Sequence, residues 1–229
     1  NEELYNKGMS LLHSILKRWD TSKKLPAFHY DFNNFALCLV TDYVDDETKA
    51  LIHKTICNTA DSNHNTINWL PMRWRVNKKR FEWTSDSKYL DKINHCRNTI
   101  AKATNADGGV EDRLPHGMSF NLQYDVATVA VLQYLRVHGE EMDLSKELGF
   151  LLNAVAPDGD VNYQGRGTNQ IFAWGLWIYL LASSCQENDL QRALSYLQKH
   201  LSTMLEHNSM MLNEWDGSEK YLWWDYHYA

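Results

Sequence analysis

The stretch "DGDVNYQGRGTNQIFAWGLWIYLLA", residues 158–182, sets about a dozen polar, Gly-rich residues directly before a dozen almost wholly apolar ones. A helix that is apolar all round offers no face to water, so Ile171 to Ala182 has to be enclosed by other elements. The run falls well short of the roughly 20 residues that a bilayer span requires, which makes it a core helix. The fold must therefore bury this helix while keeping its polar lead-in at an edge.

The rest of the chain reads as helix, with no convincing alternating strand. Val126 to Leu135 shares the all-round apolar character, whereas residues 143–155 and 189–206 are amphipathic and belong to an outer layer. In the last of these, Leu190, Ala193, Leu194, Leu197, Leu201, Met204 and Leu205 recur at helical steps behind Asn188 as a cap. Phe32, Phe35, Ala36, Leu39, Val40 and Tyr43 form a similar stripe, and "DDETKALIHKTIC" starts the next helix behind an acidic cap. Further helices are expected at about 86 to 104 and 118 to 138.

Inner and outer helices thus alternate, and a turn signal repeats with them. Asp-Gly pairs occur at Asp107-Gly108, Asp158-Gly159 and Asp216-Gly217, spaced 51 and 58 residues apart. Self-similarity at that period predicts stacked helical hairpins. The order loop, inner helix, short turn, outer helix fits an all-α (α/α) toroid, complete or partial. A right-handed α-solenoid competes, although its repeats are shorter and carry fewer long polar loops.

Composition limits what such a fold can do. The 229 residues are read as one domain over 1–229, and the net charge of -6 with pI near 5.9 excludes a nucleic-acid footprint. Cys38, Cys57, Cys96 and Cys185 lie far apart with no C-x-x-C pair, which reads as free thiols rather than a zinc site or disulfide framework. No cofactor and no metal are called for. No signal peptide is visible, and the abrupt start at Asn1 and stop at Ala229 read as a fragment of a longer chain. Nine Trp and twelve Tyr stand against four Pro. Indole faces at that density either build a bulky helical core or pack against the C–H face of sugar rings.

The three lead-in segments compare closely. "DGGVEDRLPHGMSFNLQYD" carries His116, Asn121, Gln123 and Tyr124; "DGDVNYQGRGTNQIF" carries Asn162, Tyr163, Gln164, Arg166, Asn169 and Gln170; "DGSEKYLWWDYHYA" carries Trp223, Trp224, Tyr226 and His227. Each mixes amide, aromatic and basic groups where an inner helix starts. In a toroid these ends share one rim, at the positive ends of helix dipoles, a place suited to a carboxylate or sulfate. Trp174, three residues into the next helix, is a further candidate sugar contact.

On "HGMSFNLQYD" and "NYQGRGTNQ", and in architecture over roughly residues 28 to 229, the chain resembles the α/α-toroid polysaccharide lyases of the heparinase-like and alginate-lyase-like group. The resemblance implies β-elimination on a uronic-acid glycan, with a Tyr and often a His moving protons and Asn, Gln or Arg holding the uronate carboxylate. An acidic polysaccharide would be the partner, outside the cytoplasm for a degradative enzyme and within it for a biosynthetic one. Abstraction of the C5 proton is hard beside an ionised carboxylate, so donors must neutralise it as the enolate-like species develops. A tyrosine made phenolate by a nearby positive group takes that proton and returns it to the glycosidic oxygen. Tyr124 is preferred over Tyr163 because His116 and Asn121 accompany it, with His116 as second base or donor. Arg166 is the carboxylate clamp, since its planar fork meets both oxygens.

Each residue also has a plainer role. A tyrosine at a helix start is often packed, Arg166 can tie down its own loop, and Gly165 and Gly167 supply turns. "GRG" lacks the spacing and preceding strand of a phosphate-binding loop. A toroidal glycosidase would draw its two carboxylates from Asp107, Glu111, Asp112, Asp158, Asp160 and Asp225, of which Asp107 and Asp158 read as turn residues. A non-catalytic glycan-binding or assembly domain would use "NNFALCLVTDYVDD" and the basic "MRWRVNKKRF", the latter otherwise expected as a solvated helix face.

Overall fold

The computed structural model describes residues 2–21, 29–64, 66–113, 121–161 and 172–207. Among these the chain is all-α, with helices α1 (Glu2–Thr21), α2 (Tyr30–Val40), α3 (Asp46–Asn58), α4 (Leu70–Thr84), α5 (Lys88–Ala103), α6 (Leu122–Val137), α7 (Ser145–Ala154), α8 (Phe172–Ser183) and α9 (Glu187–His207). The span expected as one domain divides into two compact units, residues 1–65 with 69–98 and residues 66–68 with 99–229.

In the first unit α2 packs on α4, and α3 packs on both and on α1. His29 and Trp69, the residues preceding α2 and α4, stack at 6.5 Å, so the two helices start side by side and run the same way. Between them α3 returns, opened by Asp45, whose carboxylate accepts from the Thr48 amide at 2.8 Å as the acidic cap predicts. Leu16, Leu37, Cys38, Ile52, Ile56 and Val76 form the core.

Two expectations fail here for one reason. The buried stripe of α2 is Asp31, Asn34, Leu37, Cys38 and Thr41, one residue out of step with the predicted one, and Tyr43 is 78% exposed. The basic run is no solvated face either, since Met72 to Asn77 and Arg80 are buried in α4. Polar groups enter because partners wait for them. Arg73 donates to Asp31 through Nη2 at 2.8 Å and Nε at 3.2 Å, and Asn34 accepts from the Thr59 hydroxyl at 3.0 Å. Arg80 donates to the Ile56 and Thr59 carbonyls, to Asn77 and to Asp61, which Lys92 also pairs at 2.7 Å. Hydrogen-bonded pairs of this kind remove most of the cost of burying charge.

In the second unit α6 packs on α8, with α7 against α6 and α9 against α8. The Gln133 amide donates to the Ser183 carbonyl at 2.8 Å, so the C-terminal ends of α6 and α8 lie level. Leu122, Val126 and Val129 share the face of Gln133 and are buried with it. The predicted distinction holds for α6, which buries residues nearly all round, and for α7 and α9, which each keep an exposed face; α8 departs from it, because Gly175, Ile178, Tyr179 and Ala182 form a stripe that is exposed or half-buried opposite the buried Ala173, Trp177, Leu180 and Leu181.

The repeat read from the first two Asp-Gly pairs is a structural one, whereas Asp216-Gly217 lies outside the described residues. The Asn105 amide donates to the Gly109 carbonyl and the Gly108 amide to Asn105; 51 residues on, Ala156 donates to Asp160 and Gly159 to Ala156, all at 2.9 to 3.2 Å. Gly108 and Gly159 both have positive φ, 102° and 100°. A Cβ on Gly108 would collide with the Lys146 carbonyl, and one on Gly159 would lie 3.0 Å from that of Arg192. Lys146 and Arg192 stand 46 residues apart in the early turns of α7 and α9. The inner helices also end alike, with Glu140 donating to Leu135 and Gln186 to Leu181 across turns whose positive-φ residues are Gly139 and Cys185. The Asn188 cap is corrected by this turn, because α9 begins at Glu187 and the Leu190 amide reaches back to Gln186.

The repeat sets a graded response to mutation. Gly108→Ala combines a left-handed backbone with a backbone collision and should cost at least about 2 kcal/mol, more than Gly139→Ala, where nothing lies within 4 Å and only the roughly 1 kcal/mol conformational cost applies. Cys185→Gly should raise Tm by a few degrees in thermal unfolding followed by circular dichroism.

Candidate functional site

The first turn of α6 gathers four of the polar groups in the second unit. Asn121 is the N-cap in extended conformation, and its side-chain oxygen accepts from the Gln123 amide at 3.1 Å and the Tyr124 amide at 3.4 Å. The sequence places an Asn there for the reason caps favour it: its carbonyl satisfies amides that the helix cannot. Tyr124 is half-buried, while Gln123 and Asp125 are fully buried on opposite flanks of the α8-facing stripe. Neither amide atom of the Gln123 side chain has a hydrogen-bond partner among the described residues.

Asp125 was not foreseen as a site residue. It shares a stripe with Val129 and Leu132, both buried, and this spacing was the available signal that a first-turn acid would be enclosed rather than solvated. Among the described residues neither carboxyl oxygen accepts a well-formed hydrogen bond, although the Val110 amide turns toward it. Burial therefore pushes this carboxyl well above the ordinary range, the Val110 amide draws it partly back, and Glu147 on α7 adds to the rise. Glu147 is itself raised, chiefly by burial.

The segment before α6 is pinned on either side of Glu111. Glu111 donates its amide to the Ala103 carbonyl at 3.0 Å, and the Asp112 carbonyl accepts from Ile67 at 3.1 Å, leaving both acidic side chains buried. On α8, Trp174 does not offer the open indole face expected of a sugar contact, because Tyr196 of α9 stacks on it at 4.8 Å and only 1% of it is exposed. Tyr196 in turn donates to Asp160 at 3.1 Å, tying down the turn that leads into Asn162. Asp158 is the turn residue its context predicts, accepting from the Asp160 amide at 3.1 Å, whereas in the first repeat Asn105 takes that role in place of Asp107.

Of the predicted site residues, Asn121, Gln123 and Tyr124 are thus assembled on one turn. His116, Tyr163, Arg166, Asn169, Gln170, Trp223, Trp224 and His227, with Asp225, lie outside the described residues. Among the described residues no helix is long and apolar enough to cross a membrane, and no group of three or more His, Cys, Asp or Glu is placed to hold a metal ion. No family model, curated protein or solved structure matches the chain.

Asp125 makes the site's stability depend on pH. Its folded carboxyl is raised above its value in the unfolded chain, so its contribution is most favourable below about pH 3.8 and is lost as pH rises toward the folded value. Each unit of that rise costs about 1.4 kcal/mol at neutral pH. Asp125→Asn should therefore raise Tm at pH 7, with the gain shrinking as pH approaches 4; a gain independent of pH would mean that Asp125 is ionised at no cost.

Proposed function

We propose that this chain is a carbohydrate-active protein of (α/α)-toroid architecture, a polysaccharide lyase that cleaves a uronic-acid-containing glycan by β-elimination. The observation that carries the reading is the placement of Tyr124. Its ring is half-buried on the first turn of an inner helix, beside the Asn121 cap, where the positive end of the helix dipole favours negative charge. The repeated hairpin with buried inner helices supports the architecture.

In this mechanism the Tyr124 phenolate takes the C5 proton of the uronic acid as the carboxylate is neutralised by amide or guanidinium donors. The electron pair forms the C4–C5 double bond, the bond from C4 to the glycosidic oxygen breaks, and the phenol returns its proton to that oxygen. Arg166, Asn169 and Gln170 are the proposed carboxylate contacts, with His116 and Tyr163 as further proton-handling groups. A glycosidase is the second reading, favoured by the buried carboxyls of Glu111 and Asp112 in the segment after α5 and of Asp125 on the first turn of α6.

A panel of uronic-acid polysaccharides separates the two. New absorbance from the C4–C5 double bond identifies the lyase, and Tyr124→Phe should then lower kcat/KM by at least about 100-fold. Reducing ends without that absorbance would replace the lyase with the glycosidase. Full lyase activity in Tyr124→Phe would remove Tyr124 from the mechanism.

A further inference from the structure

Helix α1 of the first unit carries two apolar rows, and the core covers one of them. Leu16 is buried and Met9, Leu12 and Trp19 are half-buried, which is the row turned inward. On the adjoining face runs a second row, Leu4, Gly8, Leu11 and Ile15, in which Leu4 and Leu11 are each 65% exposed and Ile15 is 48% exposed. Apolar residues scattered singly over a surface need no explanation. Three large ones aligned along one helix face are the pattern of a contact surface.

The spacing and charge of this row select what fits it. Its steps of 4, 3 and 4 residues read the same in both directions, so a second α1 laid antiparallel sets Leu4 against Ile15 and Gly8 against Leu11, twice about a two-fold axis. A Cβ on Gly8 would meet nothing within 4 Å, and the missing side chain leaves a gap that a facing Leu11 can enter. Charge then sets the direction. The first turn of α1 is acidic, with Glu2 and Glu3, and Arg18 follows Lys17 in the last. Glu3, which Lys7 pairs at 2.7 Å, and Arg18 border the row on the same side. Antiparallel copies bring Glu3 of one toward Arg18 of the other at both ends, whereas parallel copies would set like charges together.

We infer that this row is the seam of a homodimer, in which two copies of the chain associate through antiparallel α1 helices. Leu4, Leu11 and Ile15 supply the apolar contacts, and Glu3 and Arg18 form the pairs that fix orientation. The seam rests on α1 alone and is independent of the glycan reading.

Sedimentation velocity of the full chain over a concentration series tests the seam. The expected result is a reversible rise from the 26.7 kDa monomer toward twice that mass, with a Kd of about 1–100 μM for so short a contact. Leu11→Ser alters a position that is already exposed and should raise Kd at least about tenfold, because each dimer loses the residue twice. Glu3→Lys and Arg18→Glu should each raise Kd about three- to tenfold at low salt, and the double variant should return it toward the parent value. Unchanged far-UV circular dichroism in every variant shows that the helices survive. A parent chain that stays monomeric well above about 100 μM would overturn the seam and assign the face to a different partner. A dimer indifferent to Leu11→Ser would place the contact elsewhere and overturn it as well. Association lost in Leu11→Ser but indifferent to both charge reversals would overturn the antiparallel arrangement.

Discussion

Gly108 lies so close to the Lys146 carbonyl that no side chain fits, and the same approach recurs at Gly159 against Arg192. This backbone contact locks the segment leading into each inner helix onto the early turns of the outer helix that follows. A glycine in left-handed conformation is the residue that permits it. With the turn fixed, α6 buries nearly every side chain and α8 the face of Ala173, Trp177, Leu180 and Leu181, while in the sequence the polar residues fall in the segments in front of them. The juxtaposition of an all-apolar helix with a glycine-studded polar stretch follows from that division of labour.

In the first unit the buried Arg73 and Arg80 each meet a carboxylate and a carbonyl, and residues 59–64 anchor both. At the start of α6 the balance is different. The Asn121 cap is satisfied, yet the side chains of Gln123 and Asp125 beside it are fully enclosed with no well-formed hydrogen bond among the described residues. Each such group costs on the order of 1–3 kcal/mol of stability.

Much of this was legible in the sequence. The all-helical class, the inner and outer character of α6 to α9, the Asp45 cap and the Asp-Gly period rest on local rules of periodicity and turn chemistry, and these survive folding. The register of α2 and the burial of α4 were not legible, because Asp31, Arg73 and Arg80 are admitted by partners 19 to 42 residues away. Nor was α1 recognised. Its stripe of Met9, Leu12, Leu16 and Trp19 is the covered one, but Leu4, Leu11 and Ile15 on an adjoining face stay exposed and blur the period. At the site, Asn121 was readable as a cap, whereas the enclosure of Asp125 and the stacking of Tyr196 on Trp174 depend on the neighbouring hairpin. A first-turn acid and a tryptophan look open in one dimension and are closed in three.

Glycan binding as proposed falls at the N-terminal end of α6, with α7 and α9 as scaffold. Backbone hydrogen exchange, measured with and without a uronic-acid oligosaccharide, tests that placement most directly. Added protection should concentrate on residues 121–125 at the start of α6, with α7 and α9 unchanged. Protection confined to the outer helices, or absent from the first turn of α6 under saturating oligosaccharide, would contradict it.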